Sequence, residues 1–478
     1  MIGSRGRRGV VRSMGATAVA ETWVTVAVGR SRRPRAGRVL LAAGILTGSL
    51  VLVAGGAGGT GPVAAAAGSP LPPQSDPFYQ PPANLATTAP GTVLRTRSVS
   101  VAAFGLLGEQ HVRAWQLLYR TTDTQGNPEA TPTTVIEPTS RSPLPVRPLV
   151  SYQVAEDSLG AQCAPSYQLQ LGAPLANPVE QAEILLVTGL LERGYAVDVP
   201  DYEGPLSAYG AGVQAGHAVL DGIRATEQFG PAGLAGAATP VGMWGYSGGA
   251  LATAWSSELQ PSYAPELHVV AVAEGGVPVN VGNIALNING GPFAGYYIGG
   301  MVGVSRAYPQ LATLLQSSLN AQGQADLVTV GTLCNTSIIL DFAFHDISKD
   351  FSVANPLAQP QAQIILAADT LGQHAPTAPT YIYQATGDEI IPIADVDGMV
   401  ARYCAAGASV DYTRTTVGEH ITTVVTGAPG ALTWLQSRFN GGPTGNNCGN
   451  PLTTSTVLTS AQWATLFQVL AGLIPYFL

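Results

Sequence analysis

From about residue 145 onward, short apolar runs alternate with longer stretches in which apolar side chains recur at helical spacing. The apolar runs predict strands at RPLVSYQV, YAVDVP, TPVGMW, LHVVAVAEGG, TYIYQA and SVDYTRTTV. The longer stretches predict helices at EQAEILLVTGLLERG, AGVQAGHAVLDGIRATEQF and IADVDGMVARYCAAG. This alternation predicts an α/β fold with a mostly parallel sheet and helices on both faces.

Three regions depart from the alternation. Residues 68–91 are rich in proline and turn-forming residues, which indicates an extended lead-in. HVRAWQLLYRTTDTQGNPEATPTTVIEP predicts two strands around a TQGNP turn. Between the strand that ends near Gly276 and the one that begins at Thr380, the sequence predicts glycine-rich turns and short helices. We therefore predict that residues 277–378 form a cap inserted into a single domain.

Charge is distributed unevenly. Residues 1–67 hold nine of the 22 basic residues and one of the 30 acidic ones, so the rest of the chain is strongly acidic. Nucleic-acid binding requires clustered lysine and arginine, and an acidic body is also repelled by anionic lipid. The charge therefore argues against nucleic-acid binding and against electrostatic attachment to anionic lipid, and we expect no nucleic-acid partner. We also expect a monomer.

The N-terminus has the order of a secretory signal peptide. The basic segment RSRRPRAGR precedes the apolar run VLLAAGILTGSLVLVAGG, and the small residues of GPVAAAAGSP follow. We predict that residues 1–67 are removed by cleavage near Ala67 and that the protein is exported. The alternative is an uncleaved membrane anchor. The long segment before the apolar run suggests the hypothesis that translation starts downstream of Met1.

The four cysteines are Cys163, Cys334, Cys404 and Cys448, and none form a C-x-x-C pair. A zinc cluster is therefore not expected, and no metal or cofactor is indicated. An even number of cysteines in an exported protein predicts two disulfides, and the residues alone leave all three pairings open.

A G-x-S-x-G motif at Gly245–Gly249 is the first candidate for chemistry. A catalytic serine on such a turn needs a strand before it, a helix after it and small flanking residues. Residues 239–244 can form the strand, and residues 249–259 have helical spacing. The alternative is a glycine-rich turn with an incidental serine. We predict that Ser247 is a nucleophile.

A serine nucleophile needs a histidine base and a carboxylate that orients it, in the chain order Ser, acid, His. His420 follows a predicted strand and precedes a helix expected to start near Gly430, and we predict that it is the base. His345 and His374 fall in the predicted cap, where structural or solvated roles are more common. Asp388 is the predicted acid because it ends a strand. Its alternatives are the adjacent Glu389, expected to point elsewhere, and the helical Asp395 and Asp397.

Two groups are candidates for stabilising the oxyanion of an acyl-transfer intermediate. Gly248 can supply a backbone N–H at the start of the helix. Asp157 lies in a loop after an early strand and can supply its own N–H or a protonated carboxyl, which would require a raised pKa. An ordinary turn aspartate is the alternative at this position.

Several segments together resemble the secretory lipase family, and the likeness runs from about Asp76 to Cys448. The segments are GYSGGALATAWSSELQPSYAPEL, NGGPFAGYYIGG, SYQVAEDS with CAPSY, SDPFYQPPANL with APGTVLRTR, and TGDEIIPIADVD. The resemblance implies an α/β-hydrolase fold, a helical lid inserted before the strand that carries the acid, and hydrolysis of acylglycerols and other carboxylic esters. It assigns the nucleophile to Ser247, the acid to Asp388 and the base to His420.

The resemblance implies two further features. Asp157 and Gly248 correspond to the oxyanion positions. The disulfide pattern of the family would join Cys163 to Cys334 and Cys404 to Cys448. The resemblance assigns no role to the apolar C-terminal residues 449–478. These residues could pack on the body, cover the site or touch lipid.

The sequence therefore predicts an exported serine ester hydrolase, a lipase or carboxylesterase, whose ester substrate is met at a lipid interface. A serine peptidase or an acyltransferase on the same fold is one alternative, since a fold does not determine the substrate. A secreted lipid-binding protein without catalytic activity is another.

Overall fold

The predicted apolar runs form the strands of one large sheet. A computed structural model describes residues 69–455 and 458–477, which all belong to one unit spanning residues 61–478. The predicted signal peptide and its cleavage site lie outside the described residues. The strands are β1 (Val93–Val99), β2 (Ala102–Ala103), β3 (Leu107–Gly108), β4 (Val112–Thr122), β5 (Pro128–Pro138), β6 (Leu149–Gln153), β7 (Ala196–Pro200), β8 (Val241–Tyr246), β9 (Val269–Gly275), β10 (Thr380–Ala385), β11 (Val410–Thr415) and β12 (Leu452–Thr454).

Among the described residues, ten strands pair in the order β1-β4-β5-β7-β6-β8-β9-β10-β11-β12, and β2 pairs with β3 in a separate hairpin. Strands β6 to β12 run parallel, β5 pairs antiparallel with β7, and β4 and β1 extend the sheet through further antiparallel pairs. Strands β6, β7 and β8 are buried along their whole length, which explains their continuous apolar sequences. The prediction of a mostly parallel sheet is confirmed.

Helices cover both faces of the sheet. They are α1 (Pro165–Gln168), α2 (Pro178–Leu191), α3 (Gly212–Gln228), α4 (Gly248–Tyr263), α5 (Val281–Ile288), α6 (Gly295–Ala307), α7 (Pro309–Ser318), α8 (Ala321–Val330), α9 (Asn335–Phe342), α10 (Pro360–Ala368), α11 (Ile393–Ala405), α12 (His420–Phe439) and α13 (Ser460–Phe477). Helices α3, α4 and α11 build one apolar core, and α2, α12 and α13 build the other. Within the described residues, no helix is both long and apolar enough to cross a bilayer.

The stretch between β9 and β10 folds into helices α5 to α10, and its buried apolar side chains continue the core of helices α3, α4 and α11. Two disulfides fasten the fold. Cys163 is bonded to Cys334 at the start of α9, and Cys404 is bonded to Cys448. These are the pairs that the resemblance implies.

Helix α12 corrects one expectation, because it begins at His420 and not near Gly430. The side chain of Glu419 accepts hydrogen bonds from the backbone N–H groups of Ile421 and Thr422, and the Thr422 hydroxyl accepts one from the Glu419 N–H. This reciprocal capping starts the helix. Pro429, which disfavours helix, is accommodated inside it.

Strands β1 and β12 were not predicted from the sequence. Strand β1 lies antiparallel beside β4, and β12 adds an edge strand beside β11. Helix α13 packs against α2 and α12, where Val469 is buried, while Trp463 and Phe467 stack on each other at the surface. The apolar C-terminus thus packs on the body.

Several carboxyl groups are buried inside the fold. Burial raises the pKa of Glu156, Glu180, Glu203 and Glu274 well above the usual range. Neither carboxyl oxygen of Glu274 has a hydrogen-bond partner among the described residues. An ionised carboxylate would be very unfavourable there, so Glu274 is neutral in the folded protein. The unfolded chain releases this proton above its ordinary pKa, so the folded state binds more protons than the unfolded state.

Replacing Glu274 by glutamine should therefore reduce the loss of stability that accompanies rising pH. The free energy of unfolding of Glu274→Gln, relative to the original chain, should increase by up to about 1.4 kcal/mol for each pH unit above pH 5, for as long as Glu274 stays protonated in the folded state. Denaturant unfolding at a series of pH values measures this difference.

Glu266→Gln is the matched control. A hydrogen bond from Arg224 lowers the pKa of Glu266, so its removal should bring no gain in stability as the pH rises. Equal pH slopes for Glu274→Gln and the original chain would contradict the prediction.

Candidate active site

Ser247 occupies a very tight turn between β8 and α4. Its backbone is at φ 55° and ψ −125°, a region that non-glycine residues rarely adopt. A methyl group on Gly245 would overlap the carbonyl of Gly249, and one on Gly249 would overlap the carbonyl of Gln153. Only glycine fits at these two positions, because helix α4 begins directly against the ends of β6 and β8. The turn places Ser247 at the carboxyl end of the sheet, at the N-terminus of α4.

His420 lies at the first position of α12, facing Ser247. Its Nε2 is 2.8 Å from Ser247 Oγ. The backbone of His420 is held from two sides, since Tyr246 Oη donates to its carbonyl at 2.7 Å and its N–H donates to Glu389 Oε2 at 2.9 Å. The imidazole is 3% exposed, so its position is determined by packing and hydrogen bonds.

Asp388 approaches the other side of the imidazole. Its Oδ2 is 2.7 Å from His420 Nδ1, and its side chain is fully buried. Gln384 Nε2 donates to the same oxygen at 2.8 Å, and the N–H groups of Ile390 and Ile391 donate to Oδ1. These donors compensate the burial of a carboxylate and fix its plane.

The three side chains form one hydrogen-bonded chain from Asp388 through His420 to Ser247. With Nδ1–H donating to the carboxylate, Nε2 is left free to accept the serine proton. The arrangement can therefore generate a nucleophilic oxygen at Ser247 and hold the resulting imidazolium beside a negative charge.

The other residues considered from sequence lie away from Ser247. In the cap, His345 pairs with carboxylates and His374 is exposed. On helix α11, Asp395 accepts hydrogen bonds from an asparagine of α5, and Asp397 pairs with an arginine of β11.

Asp157 lies against Gly248, so close that a methyl group on Gly248 would overlap its Oδ1. Its backbone is also in the left-handed region, at φ 42°. Burial raises the pKa of Asp157 to about 7, although the nearby His420 opposes this shift. Asn335 Nδ2 lies 3.4 Å from Oδ2, whereas Oδ1 has no partner among the described residues. A neutral Asp157 presents a hydrogen-bond donor beside the free N–H groups that begin α4.

The loop that carries Asp157 is fastened to the cap. Ser158 Oγ accepts a hydrogen bond from the Asn335 N–H at 3.0 Å, and the disulfide between Cys163 and Cys334 lies next to it. The position of Asp157 therefore depends on the first residues of α9.

A cavity of about 1160 Å³, part of it continuous with solvent, opens above Ser247. Asp157 and Gly248 lie at its base, and mostly apolar side chains of the cap helices α5, α6, α7 and α10 line the rest. A space of this kind can accept an extended apolar group.

Three residues that support this geometry were not identified from the sequence: Tyr246, Asn335 and Gln384. Glu389 was expected to point elsewhere, and its carboxylate does avoid the imidazole but binds the backbone of His420. For two of these residues the sequence holds a local signal of a supporting role. Tyr246 lies inside the G-x-S-x-G motif, and Gln384 lies on the strand before Asp388. Asn335 is distant in sequence from the residue it contacts.

Comparisons with known proteins agree with one another. Residues 169–447 match the family model described as secretory lipase. Over 401 residues the chain is 39% identical to a Mycobacterium tuberculosis protein named "Probable inactive lipase", covering 84% of this chain and 87% of that protein. It is 35% identical over 417 residues to a secreted triacylglycerol lipase of Malassezia globosa, covering 85% and 90% of the two chains.

Among solved structures, the closed state of Candida antarctica lipase A is similar, with a TM-score of 0.79 and 32% identity. The match covers 85% of this chain and 95% of that one. The expected α/β-hydrolase fold is thereby confirmed.

The close approach of α4 to the sheet predicts that Gly249→Ala destabilises the fold. The added methyl group would displace the Gln153 carbonyl, and such overpacking costs about 1–3 kcal/mol. Denaturant unfolding should show this loss in the free energy of unfolding. Gly230→Ala is the control, because a methyl group there meets nothing within 4 Å. A loss for Gly249→Ala no larger than for the control would contradict the proposed constraint.

Proposed function

The chain belongs to the secretory lipase family, and from this we propose that it is an exported serine ester hydrolase that cleaves acylglycerols and related carboxylic esters. The observation that carries the proposal is the unbroken hydrogen-bonded chain Asp388–His420–Ser247 at the base of an apolar cavity.

In the proposed first half-reaction, Ser247 Oγ attacks the ester carbonyl carbon while His420 Nε2 takes the hydroxyl proton. Asp388 holds the imidazole in the required tautomer and stabilises the imidazolium. The negative oxygen of the tetrahedral intermediate accepts hydrogen bonds from the Gly248 N–H and from the protonated carboxyl of Asp157. His420 then gives its proton to the departing alcohol oxygen, which leaves an acyl group on Ser247.

In the second half-reaction, a water molecule takes the place of the alcohol. His420 removes a proton from the water, whose oxygen attacks the acyl-enzyme carbonyl. The intermediate collapses, the proton returns to Ser247 Oγ and the carboxylic acid is released. Both half-reactions use the same oxyanion donors.

The apolar cap cavity supports a fatty acyl chain as the group that is transferred, because few polar groups line it. The Malassezia globosa relative is named a secreted triacylglycerol lipase, which supports an acylglycerol substrate and an extracellular location. Such substrates form an interface with water, so we propose that the enzyme works at a lipid surface.

A protein without catalytic activity is the competing proposal, since the Mycobacterium tuberculosis relative is named as an inactive lipase. The hydrogen-bonded side chains favour activity in this chain. A serine peptidase or an acyltransferase would use the same residues, and the apolar lining of the cavity favours an ester of a fatty acid over a peptide.

Ser247→Ala should lose essentially all ester hydrolysis while the protein stays folded. Removing a nucleophile of this kind costs on the order of 10⁶ in kcat. The measurement is turnover of a series of glycerol esters of increasing acyl length, beside peptide substrates, with folding checked by circular dichroism. Labelling of the original chain by a fluorophosphonate, absent in Ser247→Ala, separates an active hydrolase from a lipid-binding protein. Peptide turnover without ester turnover would overturn the lipase proposal.

The proton on Asp157 predicts a pH dependence. The pKa of Asp157 is about 7, so its carboxyl ionises and then repels the oxyanion as the pH rises through this value. kcat/KM should therefore fall above pH 7. Asp157→Asn keeps a donor that does not ionise, and it should lose this decline at a cost of about tenfold in activity at pH 6.

Asp157→Ala serves as the control for that experiment. It removes the donor entirely and should reduce kcat/KM by about a hundredfold at pH 6, and the difference from the original chain should shrink as the pH rises above 7. If Asp157→Asn kept the same decline above pH 7 as the original chain, another group would be responsible for it.

A further inference from the structure

Outside the candidate active site, one cluster in the cap combines three potential metal ligands. It consists of Asp326 on α8, His345 after α9 and Asp350 in the 3₁₀ turn Ile347–Asp350. One ligand atom from each of the three residues lies within 4.8 Å of the other two. We propose that this cluster binds a divalent transition metal, with zinc as the best fit. The proposal is independent of the catalytic function.

The distances fit a zinc ion with little rearrangement. In a tetrahedral site with zinc–ligand distances of about 2.1 Å, neighbouring ligand atoms are about 3.4 Å apart. His345 Nε2 is 2.8 Å from Asp350 Oδ2 and 3.6 Å from Asp326 Oδ2. These two values lie on either side of the ideal, and the oxygens of Asp326 and Asp350 lie within 4.8 Å of each other, so a local adjustment of the carboxylates would place all three atoms around one ion. A water molecule would complete the tetrahedron.

The charges of the cluster also favour a cation. Within the described part of the chain, neither Asp326 nor Asp350 is paired with a lysine or an arginine. Lys349 is close in sequence, but it pairs with the half-buried Asp346 at 3.2 Å. Two carboxylates and a neutral imidazole carry two negative charges, which one divalent ion balances. Imidazole and carboxylate together are ligands that suit zinc.

The ligands are held in place by surrounding hydrogen bonds. Gln322 Nε2 donates to both carboxylate oxygens of Asp326, at 2.9 and 3.0 Å. The backbone carbonyl of Asp350 accepts a hydrogen bond from the Asn320 N–H at 2.8 Å, which fixes the 3₁₀ turn to the start of α8. Such outer contacts orient metal ligands before the ion arrives and increase affinity.

A metal at this position would join separate parts of the cap. Asp326 belongs to α8, while Asp350 is followed by Phe351, which lines the cavity above Ser247. An ion bridging them would fasten one wall of the cavity to α8. We therefore assign the site a structural role, and expect the metal to stabilise the cap.

The test uses the complete secreted chain, first freed of metal by a chelator and then titrated with zinc in a calorimeter. The original chain should bind one zinc ion. His345→Gln and Asp326→Asn should each weaken binding at least a hundredfold. His374→Gln and Asp341→Asn, which replace exposed residues of the same types in the cap, should bind zinc like the original chain.

A second readout is thermal stability. Zinc at a hundredfold excess over its Kd should raise the Tm of the original chain by roughly 3 °C, and should leave the Tm of His345→Gln unchanged. Cobalt added in place of zinc should give visible absorption bands from the protein-bound ion in the original chain and in the two control variants, and none in His345→Gln.

Three results would overturn the proposal. They are the absence of saturable binding of one zinc ion by the original chain, zinc binding by His345→Gln and Asp326→Asn as tight as that of the original chain, and a zinc-induced Tm shift in His345→Gln equal to that of the original chain. Any of these would leave His345 as a partner in an ion pair with Asp350 only. Circular dichroism of each variant without metal verifies folding, and Asp326→Asn provides an independent test if His345→Gln does not fold.

Discussion

The close contact between the first turn of α4 and the ends of β6 and β8 is the constraint on which the rest of the site depends. Without side chains at Gly245 and Gly249, the helix begins directly on the sheet, and Ser247 is forced into a conformation with positive φ. The surrounding sheet compensates for this strain, whose cost is of order 1–3 kcal/mol. Because the hydroxyl is fixed by the backbone, His420 and Gly248 can be positioned against it by equally rigid helix N-termini.

Much of this arrangement could be predicted from local patterns. The buried parallel strands are continuous apolar runs, and their alternation with helices specifies the class of fold. A serine between a strand and a helix, followed by Asp388 and then His420, is a pattern in which the order along the chain carries the information. These features depend on neighbouring residues, so a single sequence is enough to reveal them.

The features that sequence did not reveal depend on contacts between distant segments. Glycines and Pro429 obscured the first half of α12, which forms because of reciprocal capping at Glu419 and packing on the sheet. Strand β1 carries no strong apolar pattern and exists because β4 offers it a partner. The raised pKa of Asp157 likewise follows from burial by groups that the sequence does not place near it.

The disulfide between Cys163 and Cys334 has a consequence for how the cap can move. It lies beside Asn335, whose backbone and side chain both contact the loop of Asp157. The cap is thus tethered to the body at the edge of the catalytic pocket. While this disulfide stays intact, any displacement of the cap would be smallest near Cys334. The loop of Asp157 and the start of α9 would then stay together, so the position of Asp157 against Gly248 would not depend on where the rest of the cap lies.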